Sequence, residues 1–175
     1  KKLIEEILNL SNVEREGVTL QYSQVNLGKV INDALKLLGG SIDQKKMNIA
    51  LNLPSELVIK GDEDRLIQVM VNLLANAISY SMNEKTIRIR IEEKDETVLI
   101  VVQDEGIGIE QAELGRLFER FYRVDRARSR DSGGTGLGLA IVKHLIEAHN
   151  GTVEVESELQ VGTTIYIKLP KLYDL

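Results

Sequence analysis

The sequence predicts an α/β sandwich: a mixed, mainly antiparallel sheet of about five strands, with about three helices on one face. Two observations carry this prediction. Segments with helical hydrophobic periodicity are separated by short segments rich in Ile and Val that have strand character. These two kinds of segment are mixed without strict alternation, which disfavours a purely parallel, doubly wound sheet.

Length and composition are those of one globular domain. The chain has 175 residues and a formal net charge of −5, and about 100–200 residues is the usual size of a single domain. The absence of cysteine excludes disulfide scaffolds, thiolate metal sites and cysteine nucleophiles. The mild acidic balance disfavours a dedicated nucleic-acid binder but leaves room for a local anion site. Apolar runs are too short for a membrane span, and the N-terminus lacks the features of a signal peptide.

The helices follow from apolar residues at helical spacing. We predict them over Lys1 to about Arg15, over Val25 to Leu38 with Asn26 as N-cap and Gly39-Gly40 as stop, from an Asp62 cap to about Ser79, and over Leu137 to His149 closed by Asn150-Gly151.

The strands follow from alternation and β-branched content. We predict them over Met47–Leu53 (ended by Pro54), Leu57–Ile59, Thr86–Glu92 and Thr97–Gln103 as a hairpin around Lys94-Asp95-Glu96, Val153–Val155 and Thr164–Leu169.

Two amides lie one turn apart on the long central helix. Asn72 and Asn76 share a face that borders its buried side. One reading is that they hydrogen-bond a neighbouring strand or loop. The other is that an amide oxygen binds Mg²⁺, which prefers hard oxygen ligands.

Two glycine-rich segments bracket a basic loop. Asp104-Glu105-Gly106-Ile107-Gly108 directly follows a predicted strand, where it could form a plain turn or bring the backbone close to a ligand. The run from Gly133 to Leu139 leads into a helix, and backbone N–H groups there favour an anion. It lacks the sequence of a P-loop or a Rossmann fingerprint. The loop between them carries Arg116, Arg120, Arg123, Arg126, Arg128 and Arg130. It could be a solvated basic loop or a lid that binds polyphosphate.

These motifs together resemble the N, G1, F and G2 boxes of the catalytic ATP-binding domain of sensor histidine kinases. The motifs are Asn72-x-x-x-Asn76, Asp104-x-Gly106-x-Gly108, Phe118-x-x-Phe121 and Gly134-Thr135-Gly136-Leu137-Gly138-Leu139, with Gly162-Thr163-Thr164 similar to the last glycine box. The match covers about residues 25–170. The sequence of the loop is similar to that of phosphate-sensing and cell-wall-sensing kinases of Gram-positive bacteria.

The resemblance implies the Bergerat sandwich fold, shared with gyrase and Hsp90-type chaperones, and roles for named residues. Asn76 would ligate Mg²⁺ with Asn72 assisting, Asp104 would accept the adenine amino group, Tyr80 would stack on adenine, and Arg123 would reach the terminal phosphates. The remaining residues that the resemblance places at ATP are Gly106, Gly108, Ile109, Tyr122, Gly134, Thr135, Gly136, Leu137, Gly138, Leu139, Thr163 and Thr164.

The sequence departs from the family pattern at two points. A basic residue often stands three positions after the second asparagine, where this chain has Ser79. The family's phospho-accepting histidine segment is missing, and we interpret His144 and His149 as structural. The N-terminal helix could dock on its own domain or be the end of a longer hairpin. Because the histidine segment is missing, we expect residues 1–16 to be the end of a dimerisation and phosphotransfer hairpin, and residues 17–175 to be the catalytic domain.

The resemblance implies a protein-histidine kinase domain that uses ATP and Mg²⁺. Its partners would be its own phosphotransfer hairpin and a response regulator. The parent would be membrane-anchored with this domain in the cytoplasm, and the chain alone would be monomeric. Two alternatives stay open. One is an ATP-gated switch of the gyrase or chaperone type, disfavoured because those proteins carry a catalytic glutamate at the position of Asn72, which cannot act as a general base. The other is a catalytically weak nucleotide-binding interaction module, which only Ser79 favours.

Overall fold

A five-stranded sheet forms one layer of the protein in this computed structural model, which describes residues 19–120, 122 and 138–171. In spatial order its strands are β2 (Asn48–Asn52), β4 (Thr86–Glu93), β5 (Thr97–Gln103), β7 (Gly162–Pro170) and β6 (Thr152–Glu158). Only the β2–β4 pair is parallel, and the other three pairs are antiparallel. This arrangement confirms the predicted mixed, mainly antiparallel sheet.

Three longer helices among the described residues form the second layer. They are α1 (Leu27–Leu37), α3 (Glu63–Tyr80) and α5 (Gly138–Ala148), and α3 contacts both of the others. A short helix, α4 (Gln111–Leu114), lies between α3 and α5 in the chain. The apolar face of α3, including Met70, Leu73 and Leu74, is fully buried in the core. Alternate residues of β5, namely Val98, Ile100 and Val102, supply the sheet side of that core. The predicted two-layer sandwich is therefore confirmed.

The two predicted N-caps are confirmed. The side chain of Asn26 accepts a hydrogen bond from the backbone N–H of Lys29, and that of Asp62 accepts one from Arg65. Each cap satisfies a backbone donor that the first turn of a helix leaves unpaired. Since α3 begins at the Asp62 cap, its register and the direction of its amide face are fixed from that end.

The structure corrects three element predictions. Val25 lies in a strand, β1 (Ser23–Asn26), and α1 starts only at Leu27. The strand predicted at Leu57–Ile59 is β3 (Val58–Gly61), which pairs with β1 in a separate two-stranded sheet instead of joining the main sheet. Gly39-Gly40 ends α1 but also begins a short helix, α2 (Gly39–Lys45). β1 is too short to show a strand period, and glycines at the start of a helix cost less than in its interior.

Two remaining predictions concern the N-terminal helix and a membrane span. The helix predicted over Lys1 to Arg15 lies outside the described residues. Among the residues that the structure describes, no helix is both long and apolar enough to cross a membrane.

Candidate functional site

The carboxylate of Asp104 is held by two backbone groups at the end of β5. Its Oδ1 accepts hydrogen bonds from the N–H of Gly106 at 2.8 Å and from the N–H of Thr163 at 3.2 Å. The backbone N–H of Asp104 in turn donates to the carbonyl of Thr163 at 2.9 Å. Within the described ranges, Oδ2 has no hydrogen-bond partner. One oxygen therefore orients the side chain, and the other stays available to a donor.

Burial raises the pKa of Asp104 above its ordinary value, and the N–H groups of Gly106 and Thr163 oppose that rise. Removing a carboxylate from water disfavours its charged form, whereas hydrogen bonds to that form favour it. The direction of the pKa shift shows that desolvation is the larger effect. Keeping the Asp104 carboxylate charged therefore costs free energy in the ligand-free protein, as is typical of a group in a binding site.

Two glycines allow the loop after β5 and the β6–β7 turn to pack together. Gly108 has a φ of +74°, and a Cβ there would lie 2.0 Å from the carbonyl oxygen of Glu158. Gly162 has a φ of +147°, and a Cβ there would lie 2.0 Å from the carbonyl oxygen of Asp104. No other residue fits at either position, because the neighbouring atoms are backbone.

The same loop packs on the C-terminal end of α3. The N–H of Ile107 donates to the carbonyl of Tyr80 at 3.3 Å. A Cβ on Gly106 would lie 2.8 Å from that same oxygen. Tyr80, the last residue of α3 and half-buried, is therefore adjacent to the Asp104 loop.

The amide face of α3 points to the start of α5. The side-chain amide of Asn72 donates to the carbonyl of Gly138, the first residue of α5, at 3.3 Å. Asn76 lies one turn further along α3 and is half-buried. Its amide has no hydrogen-bond partner in the part of the chain that the structure describes. Asn72 thus has a structural partner, and the amide oxygen of Asn76 is a hard ligand of the kind that binds Mg²⁺.

Several residues that the resemblance places at ATP lie outside the described residues. These are Arg123, Gly134, Thr135, Gly136 and Leu137. Four further residues of the loop also lie outside the described residues, namely Phe121, Arg126, Arg128 and Arg130. Of their neighbours, Gly138 begins α5 and Leu139 is buried in the core. Leu117 is also buried, and Phe118 packs against the core, so this part of the loop is anchored to the domain.

Tyr122 lies beside the anchored segment. The guanidinium of Arg116 lies 4.6 Å from the centre of the Tyr122 ring and forms an ion pair with Glu119. A cation over an aromatic face is attracted by the ring's negative face. This contact orients the half-buried Tyr122 at the end of the described segment.

The two threonines of the last glycine segment differ in direction. Thr163 is bonded to Asp104 through its backbone, and its side chain is on the sheet face that carries Ile165 and Ile167, toward the helices. Thr164 pairs with Gln103 and Glu156, and alternation puts its side chain on the opposite face. Of the two, the structure brings only Thr163 to the helix side of Asp104.

A family profile described as histidine kinase-, DNA gyrase B- and HSP90-like ATPase matches residues 61–172. This range includes α3, the Asp104 loop, α5 and the β6–β7 hairpin. The chain belongs to this ATPase family. The match confirms the resemblance that the four sequence motifs indicated.

Individual relatives of this ATPase domain are sensor kinases. The sensor-like histidine kinase SenX3 of Mycolicibacterium smegmatis is 36% identical over 172 residues, covering 98% of this chain and 45% of SenX3. The sensor protein SrrB of Staphylococcus aureus is 36% identical, covering 97% of this chain and 29% of SrrB. The chain therefore spans less than half the length of these curated relatives.

The solved histidine kinase AdeS of Acinetobacter baumannii has the same fold. It superimposes with a TM-score of 0.81 at 29% identity, over 97% of this chain and 77% of that chain. Full-length ShkA in complex with AMPPNP superimposes with a TM-score of 0.84 at 26% identity, over 97% of this chain and 35% of ShkA.

Sequence reasoning missed two residues that hold the site of this ATPase domain together. The ammonium of Lys45 in α2 donates to the carbonyls of Ile78 at 2.6 Å and Ser81 at 2.8 Å, at the C-terminal end of α3. Those carbonyls are the orphan acceptors of a helix end, which a cation satisfies well. Nothing in the sequence around Lys45 distinguishes it from a surface lysine, because its partners are 33 and 36 positions away.

Ser157 is the second residue that was missed. It is 9% exposed, lies in β6 and faces Thr163 across the β6–β7 pair. Its hydroxyl oxygen lies 2.8 Å from the N–H of Ile109, 3.0 Å from the carbonyl of Gly162 and 2.8 Å from Oγ1 of Thr163. Its alternation with Val153 and Val155 was a signal, since a serine on the buried face of a strand needs partners.

Proposed function

We propose that this domain binds Mg-ATP and presents the γ-phosphate to a histidine on a phosphotransfer segment of the parent protein. The phosphoryl group would pass from ATP to an imidazole nitrogen, leaving ADP, and then to a response regulator. The observation that carries the proposal is the geometry of the Asp104 carboxylate. One of its oxygens is hydrogen-bonded to the backbone, and the other is left for a donor. An exocyclic amino group, such as that of adenine, is a donor of the right kind.

Asn76 is the residue that fits a magnesium ion. Its amide oxygen is a hard ligand, and it has no hydrogen-bond partner among the described residues. It lies one helical turn from Asn72, which contacts the start of α5. When bound, Mg²⁺ would neutralise charge on the phosphates. Asn72 would hold the start of α5 through its bond to Gly138, so that the glycine segment before α5 is aligned for the phosphates. Arg123, outside the described residues, would supply positive charge from the loop.

The identity of residue 72 supports phosphoryl transfer over hydrolysis. An amide has no proton-accepting group at neutral pH, so Asn72 cannot activate a water molecule as a general base. Its amide is also committed to the Gly138 carbonyl. A transferred phosphate would then go to an imidazole that needs no deprotonation by the enzyme.

We further propose that residues 1–16 are the end of the phosphotransfer hairpin and that residues 17–175 are the catalytic domain. The parent would be anchored in a membrane, with this domain in the cytoplasm, and the hairpin would supply the dimer contact. The relatives named above support this organisation because they are sensor kinases longer than this chain.

Calorimetric titration with ADP and AMPPNP, with and without Mg²⁺, tests the proposal. We expect saturable binding that Mg²⁺ strengthens. Asn76→Ala should abolish the gain from Mg²⁺ while retaining the Mg²⁺-free affinity. Asn32→Ala, at an exposed position on α1 away from the site, is the matched control. No binding at millimolar nucleotide would contradict the proposal and would favour the interaction-module alternative.

Phosphoryl transfer needs a second assay. The chain is mixed with a separately produced phosphotransfer hairpin and labelled ATP, and acid-labile phosphohistidine on the hairpin is measured. We expect labelling that requires Asn76 and is insensitive to Asn32→Ala. Release of inorganic phosphate in place of hairpin labelling would indicate an ATP-gated switch.

A further inference from the structure

The hydroxyl of Ser157 has three polar neighbours but only one proton. The N–H of Ile109 can only donate to it, and the carbonyl of Gly162 can only accept from it. Ser157 therefore donates its single hydroxyl proton to the carbonyl of Gly162. The third neighbour, Oγ1 of Thr163, lies at 2.8 Å and could by itself play either role.

Proton counting then fixes the direction of the Ser157–Thr163 bond. If Ser157 donated to Thr163, its oxygen and the Gly162 carbonyl would face each other at 3.0 Å without a proton between them. Two oxygen atoms would then face each other with lone pairs alone, which is unfavourable compared with a hydrogen bond between them. The Thr163 hydroxyl must consequently donate to Ser157. With its only proton used in this way, Thr163 has only lone pairs to offer any other partner.

The corner formed by Asp104 and Thr163 is therefore rich in acceptors. The N–H of Thr163 bonds to Oδ1 of Asp104, so the two side chains are neighbours on the helix side of the sheet. Oδ2 of Asp104 can only accept a hydrogen bond while the carboxylate is ionised. Oγ1 of Thr163 can only accept one while the Thr163 proton is donated to Ser157. An amino group carries two hydrogens and suits two acceptors, whereas an oxo group would meet both acceptors with its own lone pairs.

We propose that Ser157 is a specificity-determining positioning residue, which holds the Thr163 hydroxyl as an acceptor and so makes this corner select a 6-amino purine over a 6-oxo purine. The inference rests on the proposed function, because it needs a purine base at Asp104. It goes beyond that function by assigning base selectivity to a residue that does not touch the base. A site built on buried hydrogen-bonding groups rejects a ligand with the wrong donor pattern, because the groups are then left unpaired.

The test compares ADP with inosine diphosphate, which carries an oxo group in place of the amino group. Calorimetric affinities for both are measured on the wild-type chain and on Ser157→Ala, Thr163→Val and the double variant. In Ser157→Ala the Thr163 hydroxyl is free to donate, and we expect the ADP-to-IDP affinity ratio to fall about tenfold, the value of one hydrogen bond. In the Thr163→Val background, Ser157→Ala should leave the ratio unchanged, because the hydroxyl through which it acts is gone.

Two measurements separate this effect from a loss of structure. Ser157→Cys keeps a group of similar size that donates and accepts weakly, and should give an intermediate ratio. In the ligand-free protein, NMR should detect a slowly exchanging Thr163 hydroxyl proton, and Ser157→Ala should make it exchange fast. Thr152→Ala, on the exposed face of the same strand, is the control and should alter neither the ratio nor the exchange.

The outcomes distinguish the two proposals. If the wild-type chain binds neither nucleotide, the proposed function fails and this inference fails with it. If ADP binds but Ser157→Ala lowers both affinities equally, Ser157 is only structural and the inference alone is overturned. The same holds if Ser157→Ala changes the ratio just as much in the Thr163→Val background.

Discussion

The backbone N–H of Asp62 donates a hydrogen bond to Nε2 of His149 at 3.1 Å. The imidazole is fully buried, and its Nδ1 lies 2.7 Å from the carbonyl of Leu145, so Nδ1 carries the proton and the ring is neutral. This bond joins the N-cap of α3 to the residue after α5. Because Asp62 also accepts from the N–H of Gln21, the entering chain, α3 and α5 meet at one point.

The first prediction is that stability falls in mild acid because of His149. Burial lowers the pKa of His149, although the Leu145 carbonyl and the Asp62 carboxylate oppose this. The folded state therefore binds the proton less well than the unfolded state. The stability that neutral His149 contributes is complete above the unfolded pKa of about 6.5 and is lost as the pH falls below that value. We expect urea denaturation to show a free energy of unfolding that declines from pH 7 to pH 5.

The variant that tests this explanation is His149→Gln. It should lower the free energy of unfolding at pH 7 by about 1–3 kcal/mol, since a buried donor loses its partner. Its decline between pH 7 and pH 5 should be shallower than in the wild-type chain. His144→Gln, which leaves the His149–Asp62 bond in place, serves as the control. An equally steep decline in both variants would show that other groups cause the acid sensitivity.

The second prediction is that Asp104→Asn stabilises the free domain but weakens nucleotide binding. Burial raises the pKa of Asp104, so the stability that this group contributes is present at low pH and lost as the pH rises through its folded pKa. Asn has the same shape, its oxygen can accept from Gly106 and Thr163, and it carries no charge to desolvate. We expect a higher unfolding midpoint in urea at pH 7 and an ADP affinity at least about tenfold lower.

A pH titration of ADP affinity provides the matching test. The affinity of the wild-type chain should fall as the pH is lowered through the raised pKa of Asp104, because protonation turns an acceptor into a donor. The affinity of Asp104→Asn should lack this step. A variant that is both less stable and unchanged in ADP affinity would contradict the account of Asp104.

The third prediction concerns Gly162. Replacement by alanine should cost about 2–4 kcal/mol, because a Cβ would lie 2.0 Å from the Asp104 carbonyl and φ is +147°. Gly40 is the matched control: nothing lies within 4 Å of a Cβ there, and it is in α2. Gly40→Ala should raise stability by up to about 1 kcal/mol. Thermal and urea unfolding of the two variants measure the difference, and equal effects would contradict the argument.

Local signals in the sequence were sufficient for much of this architecture. Asn26 and Asp62 are recognisable N-caps, and the turn at Lys94-Asp95-Glu96 separates two β-rich runs, so those elements were predicted correctly. These features depend on residues within a few positions of one another. The helical spacing of Asn72 and Asn76 was equally local, and it correctly predicted a shared face.

Long-range contacts account for what the sequence did not reveal. β1 is a strand only because it pairs with β3, a partner about 35 positions away, as in the pair Gln24 and Lys60. Ser157 is hydrogen-bonded to Ile109, which lies 48 positions earlier in the chain, and to Thr163. No sequence motif marks this network. Such contacts depend on the order of strands in the sheet, which periodicity alone does not fix.

The fourth prediction is that Ser79→Lys strengthens binding of ATP more than of adenosine. Ser79 is exposed and lies three residues after Asn76, so both share a face of α3. A lysine there would add a positive charge beside the proposed metal ligand, although the Lys45 ammonium, 3.2 Å from the Ser79 carbonyl, would partly oppose it. We expect ATP affinity to rise about three- to tenfold at low salt and the gain to shrink with added salt. Calorimetry with Ser79→Gln, similar in length but uncharged, is the control, and an equal gain for adenosine would show that charge on the phosphates is not the cause.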